Sequence, residues 1–282
     1  LNRYINLGCG SRINPAWLNV DFSPVDKNVI KVDLLKNFPW EDNSFFAVYS
    51  SHVLEHFSRE CGRKFLKECY RICQPQGIIR VVVPDLESIV SNYLLQLSKA
   101  KQNSPLADLM YDWTMLELLD QVTRSYSGGE MARFIKTAPK ELWPQIELRI
   151  GKVGFLDILQ SNSQRTPIHG NIWKLFSFRG ISKLSSLLKT VIFENIAFLI
   201  WGKKGRKLSE DVLFYQSGEN HKWMYDSYSL TKILKESGFS NIKVQTYDQS
   251  QIPNWCDFQL DNNIDGSIYK PDSIYVEAIK DI

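Results

Sequence analysis

The chain has 282 residues, 44% of them hydrophobic and 23% charged, with a formal net charge of +3. That length holds one large domain, or one domain with an insertion, and the composition excludes a disordered chain. The charge is too small to argue for nucleic acid on its own. Cys9, Cys61, Cys69, Cys73 and Cys256 are odd in number and follow no disulfide framework. Cys61, Cys69 and Cys73 have no nearby histidine, so buried reduced thiols are expected in preference to a metal site. No metal-ligand set is read elsewhere in the chain. Cysteine usage and an opening without signal-peptide features lead to the expectation of a reducing cytoplasm.

In chain order, short apolar runs bounded by turn residues predict strands at Tyr4–Leu7, Trp17–Asp21, Val29–Asp33, Phe46–Ser50 and Ile78–Val83, the last stopped by Pro84. Such unbroken runs suit a parallel sheet covered on both faces. Phe65, Leu66, Cys69, Ile72 and Cys73 share one face of a predicted helix, ended by Pro75-Gln76-Gly77. Leu230, Ile233 and Leu234 mark a late helix capped by Gly238. Two final strands, around Ile242–Thr246 and Ile274–Ile279, are expected to close one edge as an antiparallel pair. Residues 100–208 read as a helical insertion over the carboxyl ends of the strands. The expected fold is therefore a doubly wound, mostly parallel Rossmann-like α/β sheet. Its core comprises residues 1–99 and 209–282, with 100–208 inserted as a cap.

The first strand runs into the turn Gly8-Cys9-Gly10, and the second ends on Asp21. Bare backbone followed by a strand-end carboxylate is how such sheets hold a nucleoside cofactor, the carboxylate accepting from ribose hydroxyls. A nicotinamide cofactor is disfavoured. The third glycine of its fingerprint is missing, and Asp21 follows too soon for a full first helix.

Six motifs in order carry a resemblance. They are Asn6-Leu7-Gly8-Cys9-Gly10, Asn19-Val20-Asp21, Val32-Asp33-Leu34, Phe38-Pro39 with Asp42-Asn43-Ser44-Phe45-Phe46-Ala47-Val48, Ser51-His52-Val53-Leu54-Glu55-His56, and Gln74-Pro75-Gln76-Gly77. Through them residues 4 to 90 resemble the class I S-adenosylmethionine-dependent methyltransferases of the type 11 pattern, which implies a seven-stranded sheet. Segments such as Ser127-Gly128-Gly129-Glu130-Met131, Ser217–Asp226 and Lys270-Pro271-Asp272-Ser273 are more loosely similar to a bacterial subgroup frequent among cyanobacteria and associated with surface-glycan loci. The resemblance implies S-adenosylmethionine as cofactor. It would be held by Leu7, Gly8, Cys9 and Gly10 under the methionine part, and by Asp21 and Phe22 at the ribose. Asp33 and Leu34 would hold the adenine, with Ser50, Ser51 and His52 at the sulfonium end. The sequence departs from the family at Gln76, where glycine is usual, and in its shortened first helix.

Methyl transfer to an alcohol also removes a proton, so a positioned base helps, and histidine suits neutral pH. His52, His56 and His221 are the candidates. A supporting structural role stays open for His56 beside Glu55, and for His221 as a satisfied core histidine; His169 has no supporting pattern. On the predicted helix from Leu106 to Arg124, the stripe Glu117, Asp120, Gln121 and Arg124 reads either as a solvated face or as a polar wall for a hydroxyl-rich acceptor. In the second reading Glu130 lies on a closing loop, and Trp223 and Tyr225 form a wall for a sugar ring. The expected activity is O-methylation of a sugar or other polyhydroxylated acceptor, lipid-linked ones included. Alternatives are an acceptor nitrogen or carboxylate, a nucleic acid, or a non-catalytic cofactor-binding partner subunit. No nucleic acid partner is expected, because the adenine-methylation signature and an interleaved basic stripe are both missing. The apolar stretch Leu187–Trp201 is too short and charged to span a bilayer. With its basic flanks, 172–208 reads either as a packed surface helix or as a peripheral contact at the inner membrane face.

Overall fold

The computed structural model describes residues 3–160 and 181–282. Seven strands form one sheet: β1 (Tyr4–Leu7), β2 (Leu18–Asp21), β3 (Ile30–Lys31), β4 (Phe45–Ser51), β5 (Cys73–Pro84), β6 (Ser240–Gln245) and β7 (Ser273–Ile279). Their order across the sheet is β3-β2-β1-β4-β5-β7-β6. The first five are parallel to their neighbours, and β7 runs antiparallel to both β5 and β6. This is the Rossmann-like arrangement expected, with the antiparallel pair at one edge. Strand order reverses at β1 and β4, and open α/β sheets bind ligands outside the carboxyl ends at that point.

Two strands differ from expectation. β3 shrinks to Ile30–Lys31, both exposed, because an edge strand has a neighbour on one side only. β5 starts at Cys73, so the preceding helix ends at Ile72, ahead of Pro75-Gln76-Gly77, and those three residues lie inside the strand. Gln76 takes φ +61°, the left-handed region glycine favours, and its N–H donates to Lys280 O at 2.7 Å. Its neighbour Gly77 has no room for a side chain, since a Cβ would lie 2.8 Å from Phe46 O.

One face of the sheet is covered by α1 (Arg59–Ile72) and α8 (Ser227–Glu236). Phe65, Leu66, Cys69 and Ile72 of α1 meet Leu230, Ile233 and Leu234 of α8 over Ile5, Leu7, Val48, Ile79 and Val276. Each such burial contributes about 1.5–3 kcal/mol. The other face has no helix between β1 and β2. Segment 246–272, between β6 and β7, lays Ile252, Trp255 and Leu260 on Trp17, Tyr49 and Tyr275 instead. Arg80 fixes that segment from inside. Its guanidinium is fully buried, donating to Asp261 at 2.7 Å, Glu277 at 2.8 Å and the carbonyl of Gln249 at 2.9 Å.

Between β5 and α8 lie α2 (Leu86–Lys101), α3 (Ala107–Thr123), α4 (Gly129–Thr137), α5 (Trp143–Ile150), α6 (Lys152–Gln160) and α7 (Ile181–Gln216). α7 leaves helical geometry at Gly202, where φ is 61°. Met110, Trp113, Met131, Ile135, Leu142, Ile146 and Phe155 form a core belonging to these helices. The divisions expected at residues 100 and 208 both fall inside helices, α2 and α7. The chain then returns to the sheet through residues 217–226.

Candidate functional site

β1 delivers the chain into a turn that ligand backbone chemistry requires to be bare. Gly8 has φ +72°, and a Cβ there would lie 2.2 Å from Val53 Cγ2. Gly10 also has positive φ, at +51°, but open space around it. The amides of Gly8 and Cys9 donate to Val20 O at 2.8 and 3.0 Å, which ties the turn to β2. Burial, reinforced by the charge of Asp21, pushes the Cys9 thiol up to about 11, so it stays protonated.

At the end of β2, Asp21 accepts from Gly10 N–H at 2.9 Å and Ser23 N–H at 2.7 Å, one bond on each oxygen. A carboxylate has about four lone-pair sites. Asp21 is therefore oriented by backbone and still able to accept from a vicinal diol. Phe22, next in the chain, keeps its ring 61% exposed. After β3, Asp33 accepts from Leu35 N–H at 3.1 Å and lies 3.6 Å from Lys36 Nζ, while Leu34 is buried. A glycine turn without side chains, an oriented carboxylate with spare lone pairs and an open aromatic face fit an adenosine-containing cofactor. The missing first helix leaves the turn to be braced from elsewhere. Arg12 does this, donating to Asn262 O at 3.2 Å and Asn263 Oδ1 at 2.9 Å, with its guanidinium 3.7 Å over the Tyr269 ring.

β4 ends opposite this turn. Ser50 is buried, with its hydroxyl unpartnered, and Ser51 is half-buried. His52 has φ +52°, and its N–H donates to Val82 O at 2.9 Å. Its Nε2 lies 2.8 Å from Ser273 Oγ, and its Nδ1 3.2 Å from Glu55 Oε1, close enough for an ion pair but not aligned as a hydrogen bond. Glu55 is 1% exposed. Burial pushes its carboxyl up, but His52, and behind it His221 and His56, outweigh this and hold it at about 2.

The other two histidines converge on the same carboxylate. Lys222 and Trp223 donate their N–H groups to Glu55 O, and His221 donates its own to Gln121 O. This backbone zipper carries His221 from the insertion to the β4–α1 link. Its ring meets that of His56 edge to face, with centroids 4.9 Å apart. Ligand atoms of Glu55, His56 and His221 all lie within 4.8 Å of one another. Burial holds His221 down at about 3, so it is neutral at physiological pH. Tyr225 is buried, its hydroxyl unpartnered and pushed up to about 12 by burial and then by Glu55.

The polar stripe of α3 is not a free wall. Glu117 is buried and takes the Arg149 guanidinium at 2.7 and 2.9 Å. Asp120 is buried too, accepting from Glu130 N–H at 2.8 Å at the start of α4. Gly129 packs so tightly against that carboxylate that a Cβ would lie 2.1 Å from Asp120 Oδ2. Arg124 pairs with Glu219 at 3.3 Å, and Glu130 bonds Tyr126 on the surface. Gln121 contributes its backbone carbonyl to His221. Of the expected acceptor residues, Trp223 is exposed, under the Arg59 guanidinium at 4.7 Å, and Tyr225, though buried, lines one open pocket with it, beside Arg59, Arg63 and Tyr228. Ser273, paired to His52, was quoted in a motif but given no role by sequence reasoning. Arg80, inside an apolar run, carried no signal of its ion triad. His169 lies outside the described residues.

Residues 5–81 match the family model described as "Methyltransferase domain". Over that segment the chain is similar to a methyltransferase domain. No curated protein matches the chain. Among solved structures, it is similar to a SAM-dependent methyltransferase from Thermotoga maritima, described as a possible histamine N-methyltransferase, at 12% identity and TM-score 0.39, covering 99% of this chain and 81% of that one. A SAM-dependent methyltransferase from Archaeoglobus fulgidus is similar at 14% identity and TM-score 0.37, over 99% and 86%. The [4+2]-cyclase SpnF is similar at 20% identity and TM-score 0.24, over 28% of this chain; the chain spans only 38% of that protein's length. At these scores the likenesses carry no argument about chemistry. The methyltransferase domain match covers β1 to β5, the strands that bear the glycine turn, Asp21 and His52.

Proposed function

We propose that the chain transfers a methyl group from S-adenosylmethionine to a hydroxyl oxygen of a sugar or other polyhydroxylated acceptor. When bound, the cofactor supplies an already activated methyl, so the protein's task is alignment and proton removal. Gly8, Cys9 and Gly10 would leave room for its methionine part, Asp21 would accept from the ribose, and Asp33 and Leu34 would hold the base beside Phe22. Ser50, Ser51 and His52 would face the reacting end.

The observation that carries the oxygen reading is the His52–Glu55 pair at the switch point. With the proton on Nδ1, 3.2 Å from the buried Glu55 carboxylate, His52 would turn its Nε2 lone pair to the position where Ser273 Oγ now lies at 2.8 Å. An acceptor hydroxyl taking that place would lose its proton to Nε2, and Glu55 would stabilise the resulting imidazolium. An amine acceptor has less need of such a pair. The test is transfer of labelled methyl from S-adenosylmethionine to a panel of hydroxylated glycans, with the product linkage read by mass spectrometry. A methyl ether is expected, with turnover ~10²–10⁴-fold lower in His52→Gln at unchanged cofactor affinity. A methyl on nitrogen or carbon would refute the oxygen reading.

A lipid-linked acceptor is favoured by α7. Ile192, Phe193, Ile196, Leu199 and Ile200 recur at helical spacing and are exposed, Leu199 by 82%, with Trp201 at the end. Lys203, Lys204, Arg206 and Lys207 follow directly. Among the described residues no helix is long and apolar enough to cross a membrane. An apolar stripe beside a basic run suits the surface of an anionic bilayer; residues 172–180 of the stretch expected to touch it lie outside the described residues. Co-sedimentation with vesicles containing phosphatidylglycerol is expected, and should be lost in Ile196→Glu/Leu199→Glu. Equal binding to vesicles without anionic lipid, or none at all, would count against it.

A further inference from the structure

From the buried cluster at the junction of sheet and insertion, we infer that Glu55, His56 and His221 form a binding site for a divalent transition-metal ion of the zinc class. The inference rests on four features of that cluster. Both carboxylate oxygens of Glu55 are buried without a hydrogen bond, and among the described residues no lysine or arginine pairs with it. Among the described residues, the only groups facing this carboxylate that could carry positive charge are imidazoles, with His52 Nδ1 at 3.2 Å, and a buried carboxylate so placed is one that a cation would compensate. His56 Nδ1 lies 3.3 Å from the carbonyl of Asn220. That contact places the proton on Nδ1 and leaves the Nε2 lone pair free, the tautomer in which a metal-bound imidazole donates its other N–H to a backbone carbonyl. Third, the donors are already assembled. Their ligand atoms lie within 4.8 Å of one another. Bonds of about 2.0–2.2 Å to one tetrahedral ion put ligand atoms about 3.4 Å apart, so closing the cluster asks for side-chain adjustment of about 1 Å. Finally, Tyr225 Oη and Asn220 Oδ1, in the same return segment, are also buried and unpartnered.

The donor set selects the ion. Two imidazoles and one carboxylate suit zinc and its transition-metal neighbours, whereas magnesium and calcium prefer oxygen throughout. Three protein ligands leave one position for water or an acceptor oxygen. An ion there would clamp the segment carrying His221 to the link after β4, a cross-bridge between insertion and sheet beside His52. The site shares Glu55 with the His52 pair of the methyl-transfer reading, while its donors lie outside the glycine turn and the Asp21 contacts.

The experiment uses the full chain, stripped with a chelator and carrying Cys256→Ser to remove an exposed thiol. Zinc chloride is titrated by calorimetry, with magnesium chloride as a second arm, and thermal melts are recorded alongside. Zinc is expected to bind one to one and raise the melting temperature, and magnesium to do neither at the same concentration. His56→Gln, at a half-buried position, should weaken zinc binding at least ~100-fold, as should Glu55→Gln where it folds. S-adenosylhomocysteine binding, measured on the same samples, reports separately on the cofactor site. Absence of one-to-one zinc binding in the stripped chain, or wild-type zinc affinity in His56→Gln, would overturn the inference.

Discussion

His56 and His221 pack edge to face with ring centroids 4.9 Å apart, one at the end of the turn after β4 and the other on the segment returning from the insertion. This contact joins the two halves of the molecule through groups that titrate, and its consequence is acid sensitivity. Burial holds folded His221 at about 3 against an ordinary 6.5. A depressed value means that its contribution to stability is complete above pH 6.5 and is lost as the pH falls toward 3. Glu55, held at about 2 against 4.5, acts in the same direction from about pH 4.5 downward. Urea midpoints of the chelator-treated chain between pH 8 and 4 should fall from near 6.5. In His221→Gln the fall should begin only near 4.5. A flat wild-type profile would contradict the burial of His221.

Gly8 has neither the φ nor the space for a side chain. Gly8→Ala should cost about 1–3 kcal/mol through strain and the push against Val53, and should weaken cofactor binding with it. Gly10→Ala meets no neighbour and should cost less in stability. Equal urea midpoints for the two variants would show that Val53 yields.

Arg80 is sealed between Asp261 and Glu277. Asp261→Ala leaves part of that charge uncompensated and should destabilise by about 3–5 kcal/mol. Arg80→Met in the same background should recover part of the loss, because the buried charge is then gone. A loss under 1 kcal/mol for Asp261→Ala alone would mean that segment 246–272 is held by Trp255 and its neighbours instead.

Asp120 sits where an acceptor contact was expected, but its carboxylate is bonded to the start of α4. Asp120→Ala should cost about 1–2 kcal/mol as a lost helix cap. Asp120→Asn should lose less, and both should keep wild-type affinity for S-adenosylhomocysteine. Chemical denaturation and calorimetry read the two quantities separately.

The strand ends proposed to hold the cofactor were legible as strand ends because their determinants are local. A glycine turn, a strand ending in Asp21 and the run into His52 are contiguous signals, and each sits at the strand end where it was expected. Gln76 was legible only as an oddity; the structure shows it adopting the conformation glycine favours. The acceptor side was not legible, for a physical reason. Glu117, Asp120, Gln121 and Arg124 do recur at helical spacing, but spacing cannot tell a stripe facing solvent from one facing Arg149, the start of α4 and residues 219–221. The cluster of Glu55, His56 and His221 depends on the backbone zipper at residues 221–223, which joins segments too distant in the chain for any spacing rule. Segment 246–272 replaces a first helix on one sheet face, and its anchor Arg80 looked like a polar interruption of an apolar strand.

The most direct measurement is a calorimetric titration of S-adenosylhomocysteine into the wild-type chain and Asp21→Ala. One-to-one binding is expected in the wild type. Loss of two charge-assisted hydrogen bonds to ribose, each about 1.5–3 kcal/mol, should weaken it at least ~100-fold in Asp21→Ala, with the melting transition still cooperative. No binding to the wild type, or equal affinity in the two proteins, would contradict the placement of the cofactor at the Gly8–Gly10 turn.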